Sequence, residues 1–214
     1  MTPTVIRSEE WDRNKRLREL GLVLPTFPEP RWGLIEAVSA AVAGRADATD
    51  NDARFIGGIN AWNYPTRRLR EIYRGHNGWE KFEENGVEGV INPKLKLKVL
   101  AASTDEGTCD PAISPRNRTP KGPATEKVID LNAQYGFFPP PPAASKDDYQ
   151  TWELCTYDNG DDVLAELSCP VLFASGHFLK FSERIFLIDP GEWKKIGITR
   201  PDEGEAFEPT VRRK

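Results

Sequence analysis

The sequence has few cysteines, few histidines and no long apolar run, and each scarcity excludes a class of protein. Three cysteines among 214 residues, Cys109, Cys155 and Cys169, are too few and too far apart for a disulfide framework. A zinc site would need a fourth ligand beside Cys155, Cys169 and His177, and their spacing is irregular, so no metal is predicted. No apolar run approaches the roughly 20 residues that span a bilayer, and the first ten residues do not resemble a signal peptide. We therefore expect a soluble cytoplasmic protein that does not contact a membrane.

Several motifs of catalysis and nucleotide binding are missing as well. The sequence contains no Gly-x-Gly-x-x-Gly, no Gly-x-x-x-x-Gly-Lys-Ser/Thr and no Gly-x-Ser-x-Gly string. The usual signatures of dinucleotide-binding proteins, phosphate-loop proteins and serine hydrolases are therefore excluded. The sequence identifies no cofactor, and it is compatible both with an enzyme and with a binding protein.

The composition is that of a folded protein, with 38% hydrophobic, 10% aromatic and 29% charged residues. Capping residues, prolines and apolar periodicity predict helices over 8–20, 32–43, 65–74 and 123–135. Turn signals at 158–161 and 175–176 separate three segments that favour strands, over 149–157, 163–173 and 178–188. We predict an α+β fold, with helices in the amino-terminal and central parts packed on a mostly antiparallel sheet that ends in a carboxy-terminal β-meander.

The length fits either one domain or two closely joined halves. The four consecutive prolines at 139–142 predict a stiff polyproline II connector. We predict a single domain over 1–214, in which this connector joins a helical and mixed sub-region over 1–138 to the meander over 143–200.

The formal net charge of −4 conceals a mildly basic centre. Residues 66–127 contain 12 Lys or Arg and 9 Asp or Glu, so this stretch has a local excess of positive charge. On the predicted helix over 65–74, Arg67, Arg70 and Arg74 share one side. The strict alternation over 94–99 predicts a strand that buries its apolar residues, from Leu95 onwards, and presents three lysines in one row: Lys94, Lys96 and Lys98.

The polar, proline-containing segment over 103–122 is a long loop, and its length alone suggests a function. It carries Arg116, Arg118 and Lys121 and leads directly into a predicted helix amino terminus, where an anion is favoured. Arginines that converge with these residues would chelate phosphate oxygens, and neighbouring aromatic rings would stack on bases. The alternative interpretation is a group of ordinary solvated faces, paired with nearby glutamates. The predicted ligand-binding residues are Arg67, Arg70, Arg74, His76, Lys94, Lys96, Lys98, Arg116, Arg118 and Lys121.

A nuclease is one enzyme class to consider. Asp189, Glu192 and Lys194 offer the carboxylates and lysine that a metal-dependent nuclease uses, although the Pro-Gly pair between the two acids is typical of a turn. An enzyme on a nucleotide would instead combine His76 and Arg74 with a carboxylate such as Glu166 or Asp189 near a shared cleft.

ADP-ribosyl transfer is a second enzyme class. Arg74, the Ser103–Thr104 pair and the later acidic residues Glu203 and Glu205 follow the motif order of that class. The middle motif lacks its second serine and the acidic pair follows it at an unusual distance, so the match is interpreted as a chance echo.

The sequence favours a binding protein that engages a phosphate-rich partner, nucleic acid or a nucleotide, through the central basic face and the 103–122 loop. An enzyme acting on a nucleotide or nucleic acid, as a nuclease or an ADP-ribosyltransferase, is the first alternative. The second is a protein-interaction module, such as an inhibitor or adaptor, with another protein as its partner. Six tryptophans and the proline-rich connectors would supply its anchors.

Overall fold

The computed structural model describes residues 3–6, 10–137 and 149–196. The helices in this part of the chain are α1 Glu10–Glu19, α2 Pro30–Ala46, α3 Ile56–Tyr73, α4 Pro123–Phe137 and α5 Trp193–Ile196. The strands are β1 Thr4–Ile6, β2 Glu80–Glu84, β3 Val87–Asn92, β4 Leu97–Ser103, β5 Gln150–Asp158, β6 Val163–Ala174 and β7 His177–Ile188. The predicted helices and the predicted meander are present, and β1, β2, β3 and α5 are additions that the sequence did not indicate.

All seven strands form one mixed sheet in the order β1-β7-β6-β5-β4-β3-β2. Four of its strand pairs are antiparallel, while β1 with β7 and β4 with β5 are parallel. A parallel pair needs a long crossover connection, and between β4 and β5 this connection contains the 103–122 loop and α4. The α+β fold and its mostly antiparallel sheet are therefore confirmed.

The two faces of the sheet are covered by different segments. Helices α1, α2 and α3 lie on one face, where Leu34, Leu69 and Leu154 belong to the largest apolar core. Helix α4 packs on β5 and β6 from the other side, where Ile129 and Phe178 belong to a smaller cluster. Because side chains alternate along a strand, β4, β6 and β7 each contribute residues to both clusters.

The predicted start of the central helix at Pro65 is wrong, because α3 begins nine residues earlier, at Ile56. The buried residues Ala61, Pro65, Leu69 and Tyr73 recur at every fourth position, so the proline lies within the stripe that α3 buries. The Thr66 hydroxyl donates to the carbonyl of Trp62, which gives a polar partner to one carbonyl in the turn that the proline disrupts.

The predicted strand over 94–99 is also wrong in its first half. The Asn92 carboxamide oxygen accepts hydrogen bonds from the backbone N–H groups of Lys94 and Leu95, and Lys96 adopts a left-handed backbone, with φ of 55°. These residues form the turn between β3 and β4, so Leu95 is 43% exposed. Lys98 is only 5% exposed, and its ammonium lies over the ring of Phe82. The three lysines therefore form no solvent-facing row.

One sheet includes strands from both sides of the predicted connector at 139–142, and the connector itself lies outside the described residues. None of the helices in the described part of the chain is both long enough and apolar enough to cross a membrane.

Candidate ligand-binding cleft

A cleft of about 560 Å³ opens where the start of α3, the end of the 103–122 loop and the start of α4 meet. This volume lies within the usual range for sites that hold small molecules. The cleft is lined by Arg45, Arg54, Phe55, Gly58, Ile59, Trp62, Gly86, Ala102, Ser103, Asn117, Arg118, Thr119, Pro120, Lys121, Gly122 and Thr125. We call it the α3–loop cleft.

The α3–loop cleft is strongly basic. Four of its lining residues are Arg45, Arg54, Arg118 and Lys121, and none of the described residues that line it is acidic. Burial and the nearby charge of Arg118 both lower the pKa of Arg45, while Asp158 acts against them. Two guanidinium groups that repel one another across a cleft create a place where an anion is stabilised.

The mouth of the same cleft is apolar. Phe55, which immediately precedes α3, and Ile59 lie one helical turn apart and are 64% and 46% exposed, and Trp62 beside them is half-buried. Large apolar side chains that remain this exposed next to a cleft are typical of a binding surface. The cleft therefore combines positive charge with rings that can stack on a flat apolar group.

Asn117 fixes the position of the loop that carries two of the four cations. Its side-chain amide donates to the carbonyls of Thr119 and Gly176, and its carbonyl oxygen accepts from the backbone N–H of Phe178, at 2.7 to 3.0 Å. A methyl group at Gly176 would approach Pro120 to 2.8 Å, so the β6–β7 turn needs glycine to lie this close to the loop. Asn117 is 3% exposed, which makes it a positioning residue for the cleft wall.

Arg118 is held in a defined orientation. Its Nε donates to the carbonyl of Thr104 at 3.0 Å, one Nη donates to the carbonyl of Asp158 at 3.1 Å, and its guanidinium lies 5.1 Å from the centre of the Tyr157 ring. These contacts fix the plane of an exposed guanidinium before any ligand arrives. A donor that is already ordered loses less conformational entropy on binding.

Lys121 links the cleft to a buried carboxyl beneath it. Glu153 on β5 is completely buried, and neither of its side-chain oxygens has a hydrogen-bond partner among the described residues. Burial raises the pKa of Glu153, and the charge of Lys121 partly counteracts this rise. The ammonium of Lys121 also lies 5.9 Å from the centre of the Phe178 ring.

A buried ion pair anchors the other arm of the 103–122 loop. Arg184 on β7 forms two hydrogen bonds with Glu166 on β6, of 2.8 and 2.6 Å, and both residues are at most 1% exposed. The same guanidinium donates to the loop carbonyls of Gly107, Asp110 and Ile113. The sheet therefore holds this long loop through side chains, although the loop contains no helix or strand of its own.

Of the predicted ligand-binding residues, only Arg118 and Lys121 line the α3–loop cleft. Arg67, Arg70 and Arg74 share one side of α3 as predicted and line a separate cleft. Within it, Arg67 is paired with Glu71 at 2.7 Å, while Arg70 donates to the carbonyls of Gly89 and Phe82 and pairs with Glu88. This arrangement resembles a charged surface with local partners.

The remaining predicted residues are dispersed. His76 is exposed in the turn after α3, and Arg116 is exposed on the 103–122 loop, beyond the lining of the cleft. Lys94 lies in the β3–β4 turn, and the ammonium groups of Lys96 and Lys98 lie 4.7 and 5.0 Å from the centre of the Tyr149 ring. The structure does not bring helix, strand and loop cations into one continuous face.

The zinc hypothesis has no support in the described residues, where no three His, Cys, Asp or Glu side chains are arranged to hold a metal ion. Cys169 belongs to the core under α1–α3, whereas Cys155 follows Glu153 by two residues and therefore faces the opposite side of the sheet.

The carboxylates of the nuclease hypothesis have structural partners. Asp189 pairs with Arg13 at 2.7 Å, and Glu192 pairs with Arg31. Glu166, proposed as a carboxylate of a nucleotide enzyme, is enclosed with Arg184. The acidic pair of the ADP-ribosyltransferase order, at 203 and 205, lies outside the described residues.

Of the five tryptophans whose side chains are described, Trp79, Trp152 and Trp193 are in the core, at most 3% exposed. Trp32 and Trp62 are half-buried. Among these five, Trp62 alone lines the α3–loop cleft.

Sequence reasoning missed Arg45, Arg54, Phe55 and Ile59 in the cleft, and Asn117 in its support. The pair Phe55 and Ile59 carried a usable signal, because both are apolar and one helical turn apart while the buried stripe of α3 occupies other positions. Arg45 comes from a different helix, and no local pattern connects it to Arg118. Comparisons with protein-family models, curated proteins and solved structures found no match for this chain.

Proposed function

We propose that this protein binds a phosphate-bearing small molecule or nucleic-acid segment in the α3–loop cleft. The observation that carries the proposal is the meeting of four cationic side chains with an exposed aromatic edge in one cleft of about 560 Å³. Guanidinium groups bind phosphate through paired, charge-assisted hydrogen bonds. A base or another flat ring attached to the phosphate would cover Phe55 and Trp62.

Two features favour a ligand held in this cleft over one spread across the central basic face. Arg70 already uses its guanidinium to join α3 to β2 and β3, and Lys98 is enclosed beneath Phe82. None of the described residues that line the cleft is Asp or Glu, so the carboxylates that act on Arg45 and Lys121, Asp158 and Glu153, lie outside its lining. An anion would relieve the repulsion between Arg45 and Arg118.

The first experiment measures binding of AMP and inorganic phosphate by isothermal titration calorimetry, at low and at physiological salt. Both ligands are expected to bind, AMP more tightly, and affinity is expected to fall as salt rises. Arg118→Gln should weaken AMP binding about tenfold, because it removes a charge-assisted contact. The matched control Arg67→Gln, which changes an arginine of the neighbouring cleft, should leave it within about twofold.

A second variant separates the apolar contact from the charged one. Phe55→Ser should weaken AMP binding several-fold and leave phosphate binding unchanged, because phosphate has no ring to stack. If neither ligand binds at low salt, or if Arg118→Gln and Arg67→Gln have equal effects, the proposed site is wrong.

A further inference from the structure

The α3–loop cleft shares two of its arginines with a second cleft. The second cleft has a volume of about 450 Å³ and lies between the end of α2 and the β5–β6 turn. Arg45 and Arg118 line both clefts. A group bound between these two guanidiniums therefore has open space on two sides.

The two clefts differ in chemistry. The α3–loop cleft has the apolar edge of Phe55, Ile59 and Trp62, whereas the second cleft is lined by Asp158, Asn159 and Gly160 of the β5–β6 turn. The Asp158 carboxylate would repel a second phosphate in this cleft. A nucleoside diphosphate or triphosphate is therefore a poor candidate for the ligand that occupies both clefts. The carboxylate favours a neutral group that donates hydrogen bonds, such as the hydroxyls of a sugar.

We propose that the ligand is a phosphodiester, whose phosphate lies between Arg45 and Arg118 and whose two substituents enter the two clefts. One substituent carries the flat ring that covers Phe55, and the other presents sugar hydroxyls to the β5–β6 turn. A dinucleotide and a single strand of nucleic acid share this chemistry. The inference rests on the proposed function, since it takes the α3–loop cleft as the primary site.

The defined orientation of Arg118 supports a bridging phosphate. Carbonyls of Thr104 and Asp158 hold its guanidinium at the boundary between the clefts, and Arg45 approaches from α2. A diester has one negative charge and two non-bridging oxygens, so each arginine can donate to a different oxygen. A terminal phosphate monoester would leave the second cleft empty.

The test compares three ligands by isothermal titration calorimetry: AMP, ADP and the dinucleoside monophosphate ApA. ApA should bind about tenfold more tightly than AMP although it carries less charge, and ADP should bind no more tightly than AMP. A short single-stranded oligoadenylate distinguishes the two sources of the diester. A gain over ApA indicates a nucleic-acid strand, and equal affinity indicates a ligand of dinucleotide size.

Ala46→Trp provides the matched structural test, because Ala46 is an exposed residue at the end of α2 that lines only the second cleft. The indole should fill that cleft, lower ApA affinity about tenfold and leave AMP affinity within about twofold, whereas the control Ala46→Ser should change neither. If ApA binds no better than AMP, or if Ala46→Trp weakens the binding of both equally, the proposal of a phosphodiester ligand is wrong. The proposed function is still supported in that case, because AMP binds. If neither ligand binds, both are wrong.

Discussion

Two glutamates on neighbouring strands are both fully buried, yet their surroundings are opposite. Glu166 on β6 accepts hydrogen bonds from Arg184, from the Ser168 hydroxyl and from the backbone N–H of Cys109, at 2.6 to 2.8 Å. Glu153 on β5 has no hydrogen-bond partner among the described residues. Both side chains leave the sheet on the face covered by α4 and the 103–122 loop.

The difference comes from what covers each carboxyl. The loop brings Cys109 and three backbone carbonyls to the Glu166–Arg184 pair, so that the pair and the loop hold each other in place. Glu153 is approached by Lys121 alone among the charged groups that shift its pKa. A buried carboxylate that is fully bonded serves the fold, and a buried carboxyl without partners destabilises it.

The largest effect is expected from removing the partner of Glu166. Arg184→Met leaves a buried carboxylate unpaired and frees the loop carbonyls, so the free energy of unfolding should fall by about 3 to 5 kcal/mol. Urea denaturation followed by circular dichroism measures this change.

The double variant Glu166→Leu with Arg184→Met is the control, since it removes both charges at once. It should recover part of the lost stability, because no unpaired charge remains. A double variant less stable than Arg184→Met would mean that Glu166 is stabilised by its other partners alone, which would contradict the role assigned to the ion pair.

Replacing Glu153 should stabilise the protein, whereas breaking the Glu166–Arg184 pair should destabilise it. Glu153→Leu removes a polar group that no described residue satisfies, and it should raise the free energy of unfolding at neutral pH by about 1 to 3 kcal/mol. Glu153→Gln keeps the shape and the polarity without the charge, so its gain should be smaller. A loss of stability in the leucine variant would show that the carboxyl has a stabilising partner.

The pH dependence follows from the raised pKa of Glu153 in the folded protein. In the unfolded chain this carboxyl loses its proton near the ordinary value of 4.5, while in the folded protein it keeps the proton to higher pH. The folded state then binds more protons, so this group's contribution to stability is present below 4.5 and is lost as pH rises toward the folded pKa. Both Glu153 variants should remove this component, which appears as a difference between their pH–stability curves and that of the wild type.

Features that depend on short stretches of sequence were predictable, and features that depend on tertiary contacts were not. Helices over 32–43 and 123–135 and the three strands of the meander follow from capping residues, apolar periodicity and turn signals within short windows. The α3–loop cleft joins Arg45, Phe55 and Arg118 from three separate segments, and the crossover between β4 and β5 determines where those segments meet. Local patterns contain no information about such a meeting.

The predicted row of lysines, Lys94, Lys96 and Lys98, is wrong for a related reason. Alternation over 94–99 satisfies the strand pattern, but the Asn92 side chain binds the next backbone N–H groups and turns the chain, so half of the pattern belongs to a turn. Glu153 and Glu166 look alike in the sequence because each is a charged residue in a strand. The charged groups near them differ, Lys121 for Glu153 and a directly bonded Arg184 for Glu166, and the tertiary structure determines this difference.

The smallest change in stability is expected at the solvent-exposed ion pair between Arg67 and Glu71. This pair is the reference against which the buried pair of Arg184 and Glu166 is compared. Arg67 lies 2.7 Å from Glu71 but is 73% exposed, so water replaces the contact when it is lost. Arg67→Gln should leave the urea midpoint unchanged within the error of the measurement, at low and at high salt. A shift comparable to that of Arg184→Met would mean that burial is not what separates the two arginines, and the contrast between Glu166 and Glu153 would then need another cause.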